Sequence, residues 1–461
     1  MRPLEISIPI LLAIYLLWSR PRPYWIQFLP VVACAAILVH LLLESYRWQM
    51  IPLYLLTFLL AVDVLIRIRT TTGRKSIGSY LALILVACAT VLPIILPVPS
   101  PSTPSGPYRV GTRMYELTDS TRREIYSGKD EARRFQIQIW YPASVSPSDQ
   151  RAPWMTNAEV YAPLIASYIH LPAFFLDHLT LVKVPAYRES KIAPIEGGHP
   201  IILFSHGWNG FNAQNTGQAL NLASHGYIVV AVQHTYGAVV TVFSDGTIAP
   251  NNPAALPSGA QDEDYGAAAQ KLGAQWAGDM AHTLDFLETQ NADPKSPFHN
   301  SMNLSRVGVY GHSTGGGAAI QFCGTDARCK ALLGMDPFMR PVSTDVVENG
   351  LGQPSFFMFS QHWADDVDSR NNQLFNQFLA KVPHSLGVIS IDGTAHYDFS
   401  DLPSLSPLAP RLGLKGPING KLVTIIINDY LLSFFDLSLK EVQMTLFDGQ
   451  NQKYNEVKFS H

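Results

Sequence analysis

Residues 307–317 read VGVYGHSTGGG, and within them Gly311-His312-Ser313-Thr314-Gly315 sets a serine between two glycines at the spacing G-x-S-x-G. A serine hydroxyl becomes a useful nucleophile when an adjacent base takes its proton. The context favours that chemistry. A short apolar strand leads in, and the small residues Gly315, Gly316, Gly317, Ala318 and Ala319 lead out into a helix. This is the strand–turn–helix setting of a nucleophile elbow. It lifts Ser313 to the edge of a sheet, at a helix N-terminus that favours developing negative charge.

Acyl transfer at such a serine needs three more parts. Phe204-Ser205-His206-Gly207-Trp208 follows an apolar strand, and the backbone N–H of Trp208 is expected to pair with that of Thr314 as an oxyanion hole. His206 reads as a structural histidine of that loop. The base is expected after the last strand, and His396 in Gly393-Thr394-Ala395-His396 fits that chain order. His225, His234, His362 and His384 sit beside earlier strands or before the last one. For the acid, the residues offer two places. One is Asp365, Asp366 or Asp368, after the strand before the histidine's. The other is Asp336, at the end of the strand after the serine's, where a lone carboxylate among apolar neighbours needs a partner.

The elements that must position these groups lie between residues 108 and 440. Phe135–Tyr141 alternates with period two. Pro200–Ser205, Tyr227–Gln233, Val307–Tyr310, Ala331–Met335, Ser355–Ser360 and Leu386–Ile391 are short apolar runs of buried-strand type. Helical patterns lie between them, notably 264–288 and 422–439. Buried strands alternating with helices predict an α/β domain with a mostly parallel sheet covered on both faces. With the elbow, this predicts the α/β-hydrolase fold. Residues 441–461 are expected as a C-terminal tail.

The first hundred residues differ. Charged residues are 15% of the chain, against about 25% in a typical soluble domain, and mean hydropathy is +0.09. The apolar excess falls in four runs: Ile6–Trp18, Tyr24–Leu43, Met50–Ile66 and Ile77–Val98. A spanning helix needs about 20 apolar residues, which the second and fourth runs reach. Residues 1–98 are therefore expected to be a transmembrane region of about four helices. Arg20 and Arg22 follow the first run and Arg67, Arg69, Arg74 and Lys75 the third, whereas Arg47 stands alone after the second. Positive charge favours the cytoplasm, which places both chain ends and the catalytic domain on the extracytoplasmic side of the cell membrane. The Pro-rich segment 99–107 is expected to be an extended, semi-rigid spacer. The apolar stretch 159–182 suits a lid or lipid-facing surface, or else a buried covering helix. Cys323 and Cys329 could pair on the outer side of a membrane or stay as buried thiols. A net charge of −3 gives no basic footprint for nucleic acid.

Arg134-Phe135-Gln136-Ile137-Gln138-Ile139-Trp140-Tyr141-Pro142-Ala143, Phe204-Ser205-His206-Gly207, Leu222-Ala223-Ser224-His225-Gly226-Tyr227-Ile228-Val229, Gly311-His312-Ser313 and Gly393-Thr394-Ala395-His396 together resemble the plasma-type platelet-activating factor acetylhydrolases and their bacterial relatives, in the same order over most of 108–440. The resemblance assigns the acid to Asp336, because in that family it follows the strand after the nucleophile's. It also implies calcium-independent hydrolysis of short acyl esters, including the acetyl group of certain phospholipids. Thr314 stands where the family often has an aromatic residue, and the four apolar runs are not part of the plasma enzyme's pattern. The expected reaction uses no metal or organic cofactor, and its partners are a lipid or small-molecule ester and the membrane. An acyltransferase or peptidase with the same triad, and a membrane-anchored binding protein with an inactive one, are the rival readings.

Overall fold

A computed structural model describes residues 1–19, 22–67, 77–447 and 453–460. The first part is a bundle of α1 (Pro3–Leu17), the short α2 (Tyr24–Gln27), α3 (Leu29–Leu43), α4 (Ile51–Arg67) and α5 (Ile77–Ile95). The run 24–43 is not the single long helix expected. Pro30 lacks an N–H and its ring would meet the carbonyl four residues back, so the helix breaks at Phe28 and restarts with Pro30 in its first turn. The helical segments Trp48–Ile66 and Gly78–Ile95 are long and apolar enough to cross a membrane, and α1 and α3 are shorter. Of the charges used to orient the bundle, Arg20, Arg69, Arg74 and Lys75 lie outside the described residues.

Polar side chains gather at one end of this bundle. Arg47 is buried and holds Glu5 through two nitrogens, both at 2.6 Å, and donates to the carbonyls of Pro93 and Leu96. This joins the start of α1, the 44–47 turn and the end of α5. The same end rests on the rest of the molecule. Trp48 donates its indole N–H to Phe175 O at 3.3 Å, Gln49 Nε2 lies 2.8 Å from His178 Nδ1, and Ser406 donates to Ile95 O at 2.5 Å.

The remainder is built on a 12-stranded sheet. In chain order come β1 (Arg109–Arg123), β2 (Ala132–Ser144), β3 (Arg151–Pro153), α6 (Ala158–Tyr168), a 3-10 stretch Ala173–Leu181, β4 (Lys183–Arg188), β5 (Lys191–Ile192), β6 (His199–Ser205), α7 (Thr216–Ser224) and β7 (Ile228–Gln233). The small hairpin β8 (Val240–Val242) and β9 (Ile248–Pro250) stands apart. Then follow α8 (Asp262–Ala292), β10 (Met302–His312), α9 (Thr314–Thr325), β11 (Cys329–Met335), α10 (Thr344–Asn349), β12 (Ser355–Ser360), α11 (Gln361–Asp365), α12 (Arg370–Leu379), β13 (Ser385–Ile391), α13 (Gly420–Lys440) and β14 (Val457–Ser460). The spatial order is β14-β13-β12-β11-β10-β6-β7-β2-β1-β4-β3, with β5 paired to β2. Strands β7, β6, β10, β11, β12 and β13 are mutually parallel. The fold is thus a mixed, mostly parallel sheet with helices on both faces, as the alternating pattern predicts.

The two faces have separate apolar cores. One is closed by α7, α13 and the insertion 158–181, with Leu222, Ile426, Leu431 and Phe434 buried. The other lies under α8, α9 and α12, with Leu272, Trp276, Ile320 and Phe378 buried. Helix α13 is apolar enough to suggest a membrane span by composition, yet its apolar face covers the sheet. The insertion buries Tyr161, Ile165, Leu176 and Leu179 as a covering helix does, and exposes Tyr168 and Phe174.

Two expectations change. The segment 99–107 is extended but docked, with Ser105 Oγ donating to Asn221 and the N–H of Gly106 to Ser224 Oγ. A Cβ on Gly106 would lie 2.2 Å from Ser224 O. The expected tail also supplies β14, which pairs antiparallel with β13 from Val388↔Ser460 to Ile391↔Val457. Its weak, partly charged pattern (Val457-Lys458-Phe459-Ser460) hides an edge strand. Deleting 457–461 exposes the β13 edge, and an unpaired edge templates association. A lower unfolding temperature with concentration-dependent light scattering is expected, and an unchanged monodisperse profile contradicts that role.

Candidate active site

The sheet brings the sequence-singled residues to one carboxyl edge. The register Gly311↔Ser205, His312↔Met335, Met335↔Met358 and Ser360↔Ile391 aligns the ends of five neighbouring strands. In such sheets that edge is where ligands are met.

Ser313 occupies the turn between β10 and α9 at φ 57°, ψ −124°, a strained conformation for a residue with a side chain. Surrounding backbone over-determines it. Its N–H donates to Met335 O at 3.0 Å, and its carbonyl accepts from Gly316, Gly317 and Phe338. Glycines allow the approach: a Cβ on Gly315 would lie 2.2 Å from Ser205 O, and one on Gly311 2.2 Å from Gly315 O. Thr314 opens α9, whose first N–H groups have no intrahelical acceptor.

Asp336 follows β11 with φ 40° and is fully buried. Its Oδ1 accepts the Ser360 N–H at 2.7 Å. Its Oδ2 accepts the Ser360 hydroxyl at 2.6 Å and faces His396 Nδ1 at 2.9 Å. A carboxylate only accepts, so Nδ1 carries the proton and Nε2 keeps a basic lone pair. His396 is partly exposed and stacks on Trp363, with ring centroids 4.5 Å apart and planes 6° apart. The Ser360 hydroxyl also accepts the Trp363 N–H, so one serine ties the acid to the helix that carries this indole. Asp365, Asp366 and Asp368 are exposed and stand apart from this constellation.

His312 supplies a further support. Its Nε2–H donates to His396 O at 3.0 Å, and its Nδ1 accepts from Gln214 at 3.1 Å. Burial, then the neighbouring His396, drives it well below the ordinary histidine range. No hydrogen bond joins Ser313 Oγ to another group among the described residues. Catalytic hydrogen bonds of an unliganded site often tighten only with substrate. Trp208 lies in the turn 207–210, and a Cβ on Gly207 would stand 3.3 Å from Ser313 Cβ. Ser360, Gln214 and Trp363 escape a sequence reading, because no spacing marks a serine that ends a strand or an indole that meets a histidine thirty-three residues on. Cys323 and Cys329 are disulfide-bonded, between the end of α9 and β11.

A mostly parallel sheet with helices on both faces, and an acid–histidine pair beside a strained serine turn at its carboxyl edge, define the class: a carboxylic ester hydrolase of the α/β-hydrolase fold. The sequence pattern of the family "Platelet-activating factor acetylhydrolase, isoform II" matches residues 100–271 and 278–456, and the chain belongs to that family. It is 27% identical over 350 residues to a platelet-activating factor acetylhydrolase of Cavia porcellus, covering 72% of this chain and 76% of that one. It is 24% identical over 416 residues to a probable 1-alkyl-2-acetylglycerophosphocholine esterase of Arthroderma benhamiae, covering 82% and 97%. Among solved structures, a ferulic acid esterase from Streptomyces cinnamoneus is similar in fold, with a TM-score of 0.64 at 22% identity over 79% of this chain and all of that one.

The buried imidazoles set a pH dependence of stability. His206 is lowered to about 3 by burial and then by His234, and His312 is lowered too. Both are neutral when folded, so below about pH 6.5 the unfolded chain binds more protons. Stability is full above that pH and falls as pH drops toward 3, by about 1.4 kcal/mol per pH unit for each such group. Denaturant midpoints that decline from pH 7 to pH 4.5 are expected, and a flat series contradicts the neutral assignment.

Proposed function

We propose that this protein is a membrane-anchored serine ester hydrolase that cleaves short acyl esters, acetylated phospholipids among them, through Ser313, His396 and Asp336. The observation that carries the reading is the 2.9 Å bond from His396 Nδ1 to the buried Asp336, made beside the strained Ser313 turn. Nε2 of His396 takes the Ser313 proton as Oγ attacks the ester carbonyl. The N–H groups of Trp208 and Thr314 receive the oxyanion. Imidazolium then protonates the leaving alcohol, and water, activated by the same histidine, releases the acid from the acyl-serine. Asp336 stabilises the imidazolium, and the stacked Trp363 face favours that cation as well. The substrate class draws on the names of the relatives.

Membrane anchoring is supported by the apolar lengths of the helices ending at Ile66 and Ile95. It is supported too by a bundle whose chain start and end meet at the end that touches the hydrolase. Arg20 and Arg22 after the first apolar run and Arg67, Arg69, Arg74 and Lys75 after the third, against Arg47 alone after the second, favour an extracytoplasmic catalytic unit. The Cys323–Cys329 disulfide suits such a compartment.

Ser313→Ala should lower kcat on a short-chain chromogenic ester by about 10⁶-fold with the fold intact. Asp336→Asn should cost about 10⁴-fold, whereas Asp366→Asn leaves the rate within about twofold. Substantial turnover by Ser313→Ala removes the serine mechanism, and a large loss confined to Asp366→Asn moves the acid.

A further inference from the structure

A second Ser–His–Asp chain lies behind the oxyanion turn. His234 Nδ1 is 2.9 Å from Asp279 Oδ2 and its Nε2 is 2.9 Å from Ser205 Oγ. All three residues are fully buried. The order of hydrogen bonds copies that of the triad, but Ser205 sits inside the sheet, so this chain holds rather than reacts. His234 is clamped on its face by Trp276, with centroids 4.2 Å apart and planes 5° apart. Asp279 is held by Arg133 through Nε and Nη2, at 3.0 and 2.6 Å, and by Arg122 at 2.9 Å.

The held imidazole lies next to His206, because β6 and β7 are parallel neighbours that end one residue before each. The backbone N–H of His234 donates to His206 Nε2 at 3.2 Å. A backbone N–H can only donate, so Nε2 is the bare nitrogen and Nδ1 carries the hydrogen. That Nδ1 lies 2.7 Å from Gly207 O. The same carbonyl accepts the Gly210 N–H at 2.9 Å, across a turn whose third residue, Asn209, takes φ 56° as such turns require. In a trans peptide the C=O and the following N–H point in opposite directions. Two donors on Gly207 O therefore turn the Trp208 N–H the other way. Among the described residues no acceptor meets it, and Gly207 is packed on Ser313.

We propose that His206 is a positioning residue that locks the Gly207–Trp208 peptide with its N–H toward the oxyanion site, and that the backbone N–H of His234, a residue anchored by its side-chain bonds to Ser205 and Asp279, fixes the tautomer of His206. The proposal rests on Ser313 as nucleophile and Trp208 as oxyanion donor. Without the Nδ1 donor, Gly207 O keeps only the Gly210 N–H, and the peptide is less firmly held against a rotation that presents a carbonyl to the developing oxyanion.

The isosteric pair His206→Leu and His206→Asn tests this in the full chain, since the Asn amide nitrogen stands where Nδ1 does. His206→Leu should lose about 10²–10³-fold in kcat on p-nitrophenyl acetate, with KM within about threefold. His206→Asn should stay within about tenfold of the native rate. Inhibition by a short-chain trifluoromethyl ketone, whose adduct with the serine carries an oxyanion, should weaken in step with kcat/KM. If His206→Leu does not fold, His206→Gln, which has no donor at the Nδ1 position, is compared with His206→Asn in its place. Equal losses in donor and non-donor variants, or unchanged ketone affinity, overturn the proposal. Ser313→Ala run in parallel separates the two readings. If it retains turnover, the serine mechanism fails and this role with it; if it is inactive while donor and non-donor variants behave alike, only the role of His206 fails.

Discussion

The closeness of the β10–α9 turn to the strands on either side is the constraint on which the rest depends. No side chain larger than hydrogen fits at Gly311 or Gly315, where backbone carbonyls stand 2.2 Å from a would-be Cβ. That contact sets the height of Ser313 above the sheet. Through Met335 O and Phe338 N it also sets the Asp336 turn on one side, and through Ser205 and His206 the Gly207–Gly210 turn on the other. The strain at Ser313 and at Asp336, both at positive φ, is confined to these two turns. Such strain persists where neighbouring structure over-determines it, and here each strained turn hydrogen-bonds the other.

Much of this was legible in the sequence, for a physical reason. Buried parallel strands are short and almost wholly apolar, so β6, β7, β11, β12 and β13 stand out as runs, and glycines that admit close backbone approach stand out beside Ser313. The fifteen-residue β1 does not. Its exposed positions, Met114 apart, are polar and interrupt the apolar ones, so its pattern resembles a loop. β14 fails for the same reason at a sheet edge. The run 24–43 reads as one long helix and is two, because hydropathy counts residues and is blind to the break that Pro30 imposes.

The candidate site divides the same way. Ser313 and His396 follow from motif and chain order. The residues alone left the acid open between two loops, and the bond from Asp336 to His396 is tertiary information, made between residues sixty apart. The supports are less visible still. Ser360, His312, Gln214 and Asp279 act through hydrogen bonds across strands and helices, and each looks ordinary in its own neighbourhood. Buried polar groups of this kind are held by a complete set of partners, and such a set is distributed over the chain.

The docked segment 99–107 bears on how the two halves of the molecule divide their work. A free proline-rich connector would let a catalytic unit sweep a volume, and its success would depend on reach and local concentration. Here the connector is pinned to α7, and Trp48, Gln49 and Ile95 grip the insertion and Ser406. The hydrolase therefore turns with its bundle as one body. On the proposed anchoring, reaching an ester becomes a matter of aim: the tilt of the helices decides which way the carboxyl edge that carries Ser313 and His396 points.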